Sequence, residues 1–221
     1  MSCEHEHHGH DHGDHNHGDG HDHSHDLEPA LQSNLYKQIE FDKIRTLNEA
    51  ESGSGTGIVR KTWSERLNNT PVLESDADEQ LLVHIPFAGS CKLYAILIRT
   101  SDTSNAPRKL KLFRNRDDLD FGAASDLQPT QTIDLPRSNE VAEIPLNRAH
   151  WNTTTSIDLF IEDNHSDGDE DVTHMYYLGF KGDFMALNRE PISFLYEAAA
   201  NPSDHKVIQG LKNTNQQSLG Q

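Results

Sequence analysis

The stretch CKLYAILI, residues 91–98, decides how the chain folds. It carries a single charged side chain, Lys92, and is otherwise apolar on both faces. A strand with two apolar faces is buried on both sides, whereas a strand at the surface of a sheet alternates between apolar and polar residues. This stretch therefore predicts a strand at the centre of the fold.

Outward from this strand, shorter apolar segments recur with the two-residue alternation of a β-strand. The clearest are KLKLF at residues 109–113 and IDLFI at residues 157–161. Turn residues such as Pro86, Gly89 and Pro107 separate the segments, and no window of ten or more residues predicts an amphipathic helix. We expect an all-β chain, folded as an antiparallel β-sandwich of jelly-roll type. Its eight predicted strands are residues 81–87, 91–98, 109–113, 132–135, 141–146, 156–161, 174–180 and 192–196.

Composition divides the chain of 221 residues into a histidine-rich end and an ordinary body. Residues 1–26 hold ten of the 15 histidines and seven acids, with no Lys or Arg. The rest has 29 acidic and 19 basic residues, a net charge of -10 within the -17 of the whole chain. This acidity disfavours nucleic acid or an anionic membrane as partner, and the longest apolar run, residues 93–98, is too short to cross a bilayer. We expect a disordered tail over residues 1–26, one domain over residues 27–206 and a flexible C-terminal tail over residues 207–221.

The cysteines and the N-terminus indicate a reducing compartment. Cys3 and Cys91 are the only two cysteines, and neither belongs to a C-x-x-C pair. This excludes thioredoxin-type redox chemistry and cysteine-only zinc sites, so we interpret both as reduced thiols. The N-terminus also lacks the basic start and apolar stretch of a secretory signal. We expect a monomer in the cytoplasm and nucleus.

The tail is the strongest compositional feature. Its imidazoles alternate with carboxylates and offer many interchangeable ligand sets for zinc, nickel or copper. A disordered tail has no preformed geometry, so each bound ion must also order the chain. We therefore interpret the tail as solubilising or incidental, with adventitious binding of these metals and no required cofactor; physiological metal handling is the alternative. The ten imidazoles belong to His5, His7, His8, His10, His12, His15, His17, His21, His23 and His25.

Two stretches of sequence resemble ligand-binding motifs. SGSGTG at residues 52–57 resembles a phosphate-binding loop, but no strand precedes it and a poor helix start follows, so we expect a flexible surface loop. The acidic run at residues 162–171 resembles an EF-hand loop, but His165 and His174 stand where ligand carboxylates are needed. We interpret it as a solvated acidic hairpin loop, with weak adventitious calcium binding as the alternative.

Three further residues suggest a site only at first sight. His84 faces opposite to Val83 and Ile85 in its strand, so we expect it at the surface or beside a loop. Trp63 and Trp151 are interpreted as packing anchors at strand ends, although aromatic residues on a jelly roll keep a sugar platform as an alternative.

Several longer strings carry a family resemblance. They are ESDADEQLL at residues 74–82 followed by IPF at residues 85–87, YLGFKGDF at residues 177–184 and YEAAANPSDHK at residues 196–206. In this order they resemble the PITH domain family, named for the proteasome-interacting thioredoxin-like protein. The resemblance runs from about residue 35 to residue 206.

The resemblance implies a galactose-binding-like jelly roll, association with the regulatory particle of the 26S proteasome, and no enzymatic activity. The thioredoxin domain that precedes PITH in longer relatives is absent, so no redox role is implied. We expect a non-enzymatic intracellular adaptor. The alternative is a jelly roll that binds a carbohydrate or another small ligand and carries a metal-binding histidine-rich tail.

Two polar strings hold the candidate contact residues. Carboxylates in a loop that leads into a strand can cap backbone amides, and NPSDH at residues 201–205 has the composition of a turn. We favour structural roles for both strings over partner contact. The candidates are Glu74, Asp76, Asp78 and Glu79 in the first string and Asn201, Asp204 and His205 in the second.

Overall fold

The computed structural model describes residues 33–186. The tail histidines, Cys3, the predicted strand at residues 192–196 and the string at residues 196–206 lie outside the described residues. None of the helices in the described part is long and apolar enough to cross a membrane. The elements are β1 (Arg45–Leu47), α1 (Ser54–Arg60), β2 (Leu73–Glu74), β3 (Leu81–Thr100), β4 (Pro107–Arg114), α2 (Phe121–Asp126), β5 (Gln131–Asp134), β6 (Ala142–Pro145), β7 (Thr154–Asn164) and β8 (His174–Met185).

The predicted strands at residues 81–87 and 91–98 are two halves of one continuous strand, β3. The turn predicted at Gly89 is therefore wrong: the register shifts between Pro86 and Cys91, but the chain stays extended. The first half of β3 pairs with β1 and β7, and the second half pairs with β6 and β8. Because the partners change at the shift, β3 belongs to both layers of the fold.

The strand pairing confirms an antiparallel β-sandwich of jelly-roll type. One layer has the order β1-β3-β7-β4-β5 and the other β6-β3-β8-β2, and every pair is antiparallel. For residues 35–47, which contain β1, the sequence pattern left a short helix and an entry strand open, and it did not predict β2, whose two residues are too few to show an alternation.

Apolar side chains of both layers meet in one core. In β3 up to Leu93, odd-numbered residues face the core. The register shifts between Leu93 and Ala95, and beyond this shift even-numbered residues face the core. Burial raises the pKa of the Cys91 thiol to about 11, so this cysteine stays protonated at neutral pH. The core residues of β3 are Leu81, Val83, Ile85, Phe87, Cys91, Leu93, Ile96 and Ile98.

A smaller cluster lies on the outer face of the first layer. Leu82, Phe113 and Phe160 contact Ala124 of α2, which covers them. Asp120 begins this helix by accepting a hydrogen bond at Oδ1 from the backbone N–H of Ala123, 2.7 Å away.

His84 shares this outer face, as its position in the strand predicts, but it is buried. Only 9% of the residue is exposed, and its Nδ1 lies 2.7 Å from Oδ1 of Asp158, itself 2% exposed. The expectation of a surface histidine is therefore wrong. The two residues are direct partners across β3 and β7, a pairing between positions 74 residues apart in the chain.

The SGSGTG string forms a helix, so the expectation of a flexible loop is also wrong: its last four residues begin α1. The carboxylate of Glu49 accepts hydrogen bonds from the backbone N–H groups of Gly53, at 2.7 Å, and Gly55, at 2.9 Å. Free N–H groups at a helix start attract anions. Here the chain's own carboxylate takes that place, which explains the likeness to a phosphate loop.

Gly55 lets α1 lie directly on β1. A Cβ at this position would stand 2.0 Å from Oγ1 of Thr46, closer than any real contact. We predict that Gly55→Ala lowers the free energy of unfolding by about 2–3 kcal/mol, because helix or strand must move. Gly122→Ala in α2 is the matched control: its nearest neighbour would be 3.5 Å away, so stability should be unchanged or slightly higher. Urea unfolding of both variants checks this, and equal effects would contradict the close contact.

Candidate functional site

Asn48 fixes the acidic loop at residues 74–80. Its φ of 65° is left-handed, a conformation that Asn tolerates better than most residues. Its Nδ2 donates to the carbonyl oxygen of Asp78 at 3.1 Å, to that residue's carboxylate at 2.8 Å and to the carbonyl oxygen of Gln80 at 2.7 Å. Its Oδ1 accepts from the backbone N–H of Ala77 at 3.0 Å. The loop is therefore held from inside by one side chain.

Ser75 and Thr173 join this loop to the second acidic string. The backbone N–H of Ser75 donates to the carbonyl oxygen of Thr173, and the backbone N–H of Thr173 donates to Oγ of Ser75 at 2.9 Å. Oγ1 of Thr173 also donates to the carbonyl oxygen of Glu79 at 2.7 Å. Two strings far apart in sequence thus lie side by side. We call residues 74–80 and 165–173 together the acidic surface.

The second string is not a hairpin loop. β7 and β8 pair with β3 and not with each other, so residues 165–173 cross between the two layers. Nδ2 of Asn164 holds the crossing by donating to the carbonyl oxygens of Glu170, at 2.8 Å, and Val172, at 3.1 Å. Asp167 forms an ion pair with Arg108. Among residues 33–186 no group of three or more His, Cys, Asp or Glu side chains is placed to hold a metal ion.

The candidate carboxylates differ in what they contact. Asp78 accepts from Asn48 and from the backbone N–H of Gln80, so it has the capping role. Glu74 lies 3.4 Å from the Nε2 atom of His174. Asp76 is exposed, and within residues 33–186 its carboxylate accepts no hydrogen bond; Glu79 is half-buried and likewise has no side-chain partner there. Structural and solvent-facing carboxylates therefore alternate along one loop.

A polar pocket of about 210 Å³ adjoins the acidic surface. His174 of the pocket lining connects the two: its ring faces Glu74 of the acidic surface, and its backbone N–H donates to the carbonyl oxygen of Asn105 at 2.9 Å. Amide, hydroxyl and carboxylate groups around one aromatic ring can hydrogen-bond a hydroxyl-rich small molecule. The pocket is lined by Asn69, Ser101, Asp102, Thr103, Asn105, Asn139, His174 and Tyr176.

Arg99 supports this pocket from below. It is 4% exposed, and its guanidinium lies 5.0 Å from the ring centre of Tyr176. Its Nε donates to the carbonyl oxygen of Asn139 at 2.9 Å, and its Nη2 donates to Oδ1 of Asn69 at 2.8 Å. The buried cation thereby holds three residues of the pocket lining in place.

Lys61 holds the loop at residues 68–71, beside this pocket, in the same way. Its Nζ donates to the carbonyl oxygens of Asn68 at 2.8 Å, Pro71 at 2.6 Å and Tyr176 at 2.7 Å. Burial, followed by the positive charge of Arg99, lowers the pKa of Lys61 to about 8. Residues 68–71 are thus fixed to β8 by a side chain that belongs to none of the sequence motifs.

The structure brings together only part of the predicted site. Glu74, Asp76, Asp78 and Glu79 share one loop, whereas Asn201, Asp204, His205 and the tail histidines lie outside the described residues. Trp151 is fully buried, with Nε1 donating to Gln131, and so is a packing anchor. Trp63 packs edge-on against Tyr177 and under the guanidinium of Arg66. In the sequence, the one indication of a structural role for Arg99 is its position directly after the apolar run of β3.

Comparison with known proteins places this fold in a family. The family model described as "PITH domain" matches residues 25–200. A PITH domain-containing protein of Schizosaccharomyces pombe is 37% identical over 187 residues, which cover 83% of this chain and 89% of the relative. PITH domain-containing protein 1 of Xenopus laevis is 36% identical, covering 85% and 88%, and that of Homo sapiens is 34% identical, covering 81% and 83%.

Solved structures with a similar fold are more distant. The family 32 CBM from C. perfringens NanJ in complex with galactose has a TM-score of 0.49 and 8% identity, over 67% of this chain and 97% of that one. The C-terminal domain of a chitobiase from Bacteroides fragilis has a TM-score of 0.45 and 15% identity, over 69% and 99%.

Fold and site together define an antiparallel jelly-roll domain with an acidic surface and a polar pocket formed by its loops. The chain belongs to the PITH domain family. The resemblance carried by the strings at residues 74–87 and 177–184 is thereby confirmed.

The hydrogen bonds of Asn48 generate a stability prediction. We expect Asn48→Ala to lower the free energy of unfolding by about 2–3 kcal/mol, because several loop groups lose their partner and Ala disfavours positive φ. Backbone amides of Ala77 and Gln80 should then exchange hydrogen faster. Asp76→Asn is the control, since its carboxylate is exposed, and should change stability by less than about 0.5 kcal/mol. Urea unfolding with amide exchange measures both effects; a wild-type exchange rate in Asn48→Ala would refute this role.

Proposed function

We propose that this chain is a non-enzymatic adaptor of the cytoplasm and nucleus that associates with the regulatory particle of the 26S proteasome. Membership of the PITH family supports this, because the family takes its name from a proteasome-interacting protein. The single structural observation that carries the proposal is the acidic surface. Its backbone is fixed by Asn48, Ser75 and Thr173 while carboxylates such as Asp76 and Asp171 face solvent.

A fixed acidic surface suits a basic partner. Loops that are already ordered lose little conformational entropy on binding, and exposed charges of one sign accelerate association with a surface of the opposite sign. The body of the chain, at -10, adds long-range attraction of the same kind. The proposed contact therefore involves the solvent-facing carboxylates, while Asp78 supports the loop.

Affinity purification from native lysate tests the proposal. We expect the full chain, and a variant without residues 1–26, to enrich regulatory-particle subunits, and less strongly as salt rises. Asp76→Lys combined with Asp171→Lys should reduce that enrichment several-fold, since the two changes reverse charge within the acidic surface. Asp126→Lys combined with Asp134→Lys changes the net charge equally at exposed positions elsewhere and should leave enrichment intact.

Three results would argue against this function. Enrichment of regulatory-particle subunits no greater than that by an unrelated acidic β-sandwich would exclude proteasome association as the function. Equal losses of enrichment in the two double variants would show that binding depends on net charge and not on the acidic surface. Loss of binding on removal of residues 1–26 would move the contact to the histidine tail.

A second function is favoured by the polar pocket, namely binding of a small hydroxyl-rich ligand such as a carbohydrate. Its volume of about 210 Å³ and its planar amides around Tyr176 are the supporting observation. We predict that the full chain binds a subset of an array of mono- and disaccharides, and that Asn69→Ala abolishes this binding. Asn152→Ala, at an exposed site away from the pocket, is the control. No sugar-dependent signal, or equal signals from both variants, would exclude the pocket as a sugar site.

A further inference from the structure

A second pocket lies on the outer face of the first layer, and its base contains an unsatisfied buried carboxylate. Register places Arg45 of β1, His84 of β3 and Asp158 of β7 in one row across three strands. Oδ2 of Asp158 is buried and has no hydrogen-bond partner among the described residues. Buried polar atoms normally have partners, so this oxygen indicates a group that completes the site.

The hydrogen bonds in this row leave acceptors facing the pocket. A carboxylate only accepts, so His84 donates through Nδ1 to Oδ1 of Asp158 at 2.7 Å. In the neutral ring, Nε2 is then an acceptor, and Oδ1 of the exposed Asp117 lies 3.9 Å from it. Asp158 and His84 thus line the small pocket, and Asp117 lines the groove beside it.

The permanently charged groups around this space, counted without the His84 ring, leave one negative charge without a fixed partner. Asp158 and Asp117 carry two negative charges, and Arg45 supplies one positive charge while donating to the backbone carbonyl of Asp117 at 3.2 Å. Burial raises the pKa of Asp158, although the hydrogen bond and charge of His84 lower it in part. The complementary ligand group is therefore a compact cation with several N–H donors.

The walls of the pocket are apolar. The side chains of Leu47, Leu82 and Leu119 line it together with Arg45, and Leu47 is 41% exposed. The space measures about 40 Å³ and opens beside a groove of about 510 Å³ lined by Ile44, Pro86 and several charged residues. An aliphatic stem along leucines with an ammonium at its tip is the chemistry of a lysine side chain.

We propose that this pocket, which has room for one ammonium group, binds the tip of a lysine side chain from a partner protein, with its ammonium on Asp158 and His84 and its main chain in the adjoining groove. The aliphatic stem contacts the leucines, and Asp117 provides a second carboxylate at the entrance. None of the residues that line this site belongs to the acidic surface, and the proposal does not depend on proteasome association.

Nuclear magnetic resonance titration of the full chain with short peptides tests the proposal. The probe is acetyl-Gly-Lys-Gly-amide, and the matched controls replace its lysine by norleucine, by ε-acetyl-lysine or by arginine. We expect saturable shifts of the methyl groups of Leu47 and Leu119 and of the His84 ring with the lysine peptide. Norleucine and ε-acetyl-lysine keep the stem but remove the charge, so they should produce no saturation in the same range.

Amino-acid substitutions distinguish effects on lysine binding from effects on folding. Asp158→Asn keeps the shape and the acceptor for His84 but removes the charge, so it should weaken binding of the lysine peptide at least about tenfold. Its thermal midpoint should not fall, because the uncompensated buried charge is gone. Asp117→Asn, at an exposed carboxylate, should weaken binding roughly two- to fivefold without affecting folding. Asp118→Asn, one residue further and paired with Arg116, should leave binding unchanged.

Several outcomes would overturn the proposal. Equal shifts with the lysine and norleucine peptides would define an apolar pocket without charge recognition. Tighter binding of the arginine peptide would show that the ligand class is wrong. Absence of saturable shifts with every peptide would mean that the space holds only solvent. If Asp158→Asn failed to fold, an unchanged affinity in Asp117→Asn would be the contradicting result.

Discussion

The rest of the structure depends on β3 passing through both layers of the sandwich. Its first half pairs with β1 and β7 and its second half with β6 and β8, so each layer is built on the same backbone. The register shift between Pro86 and Cys91 is where the partners change. Both ends of β3 consequently lie near the connection from β7 to β8. For this reason the loops at residues 74–80 and 101–106 meet residues 165–173 through Ser75, Thr173 and Asn105.

Hydrogen bonds from a few side chains to backbone carbonyls convert these loops into a defined surface. Lys61, Arg99 and Asn48 each donate to two or more carbonyl oxygens on segments distant in sequence. A loop carbonyl withdrawn from water needs such a donor, and a charged donor gives the stronger bond. Few internal bonds of regular structure hold these segments, so their conformation depends on side-chain hydrogen bonds of this kind. The site is therefore rigid because of residues that do not themselves face a ligand.

Sequence reasoning succeeded where the information was local and failed where it depended on a distant partner. Alternating residues predicted β4, β5, β6, β7 and β8, because the two-residue period is visible in a few positions. Pro86 and Gly89 suggested a turn, although β3 uses them at a shift of register within a strand. The burial of His84 requires Asp158, and the helix at SGSGTG requires the carboxylate of Glu49, so neither follows from neighbouring residues. Asp76 and Asp78 look alike in sequence, and only the position of Asn48 distinguishes them.

The distribution of bases makes the solvent-facing charge more negative than the composition suggests. Lys61 and Arg99 are both 4% exposed and donate to carbonyl and amide oxygens, so two positive charges are withdrawn from the surface, and within residues 33–186 neither forms an ion pair with a carboxylate. Both lie under the loops that adjoin the acidic surface. The exposed carboxylates of Asp76 and Asp171 form no ion pair within residues 33–186, so field lines from these groups extend into solvent. The same buried bases that stabilise the loops thus sharpen the charge contrast by which a basic partner would recognise this end of the domain.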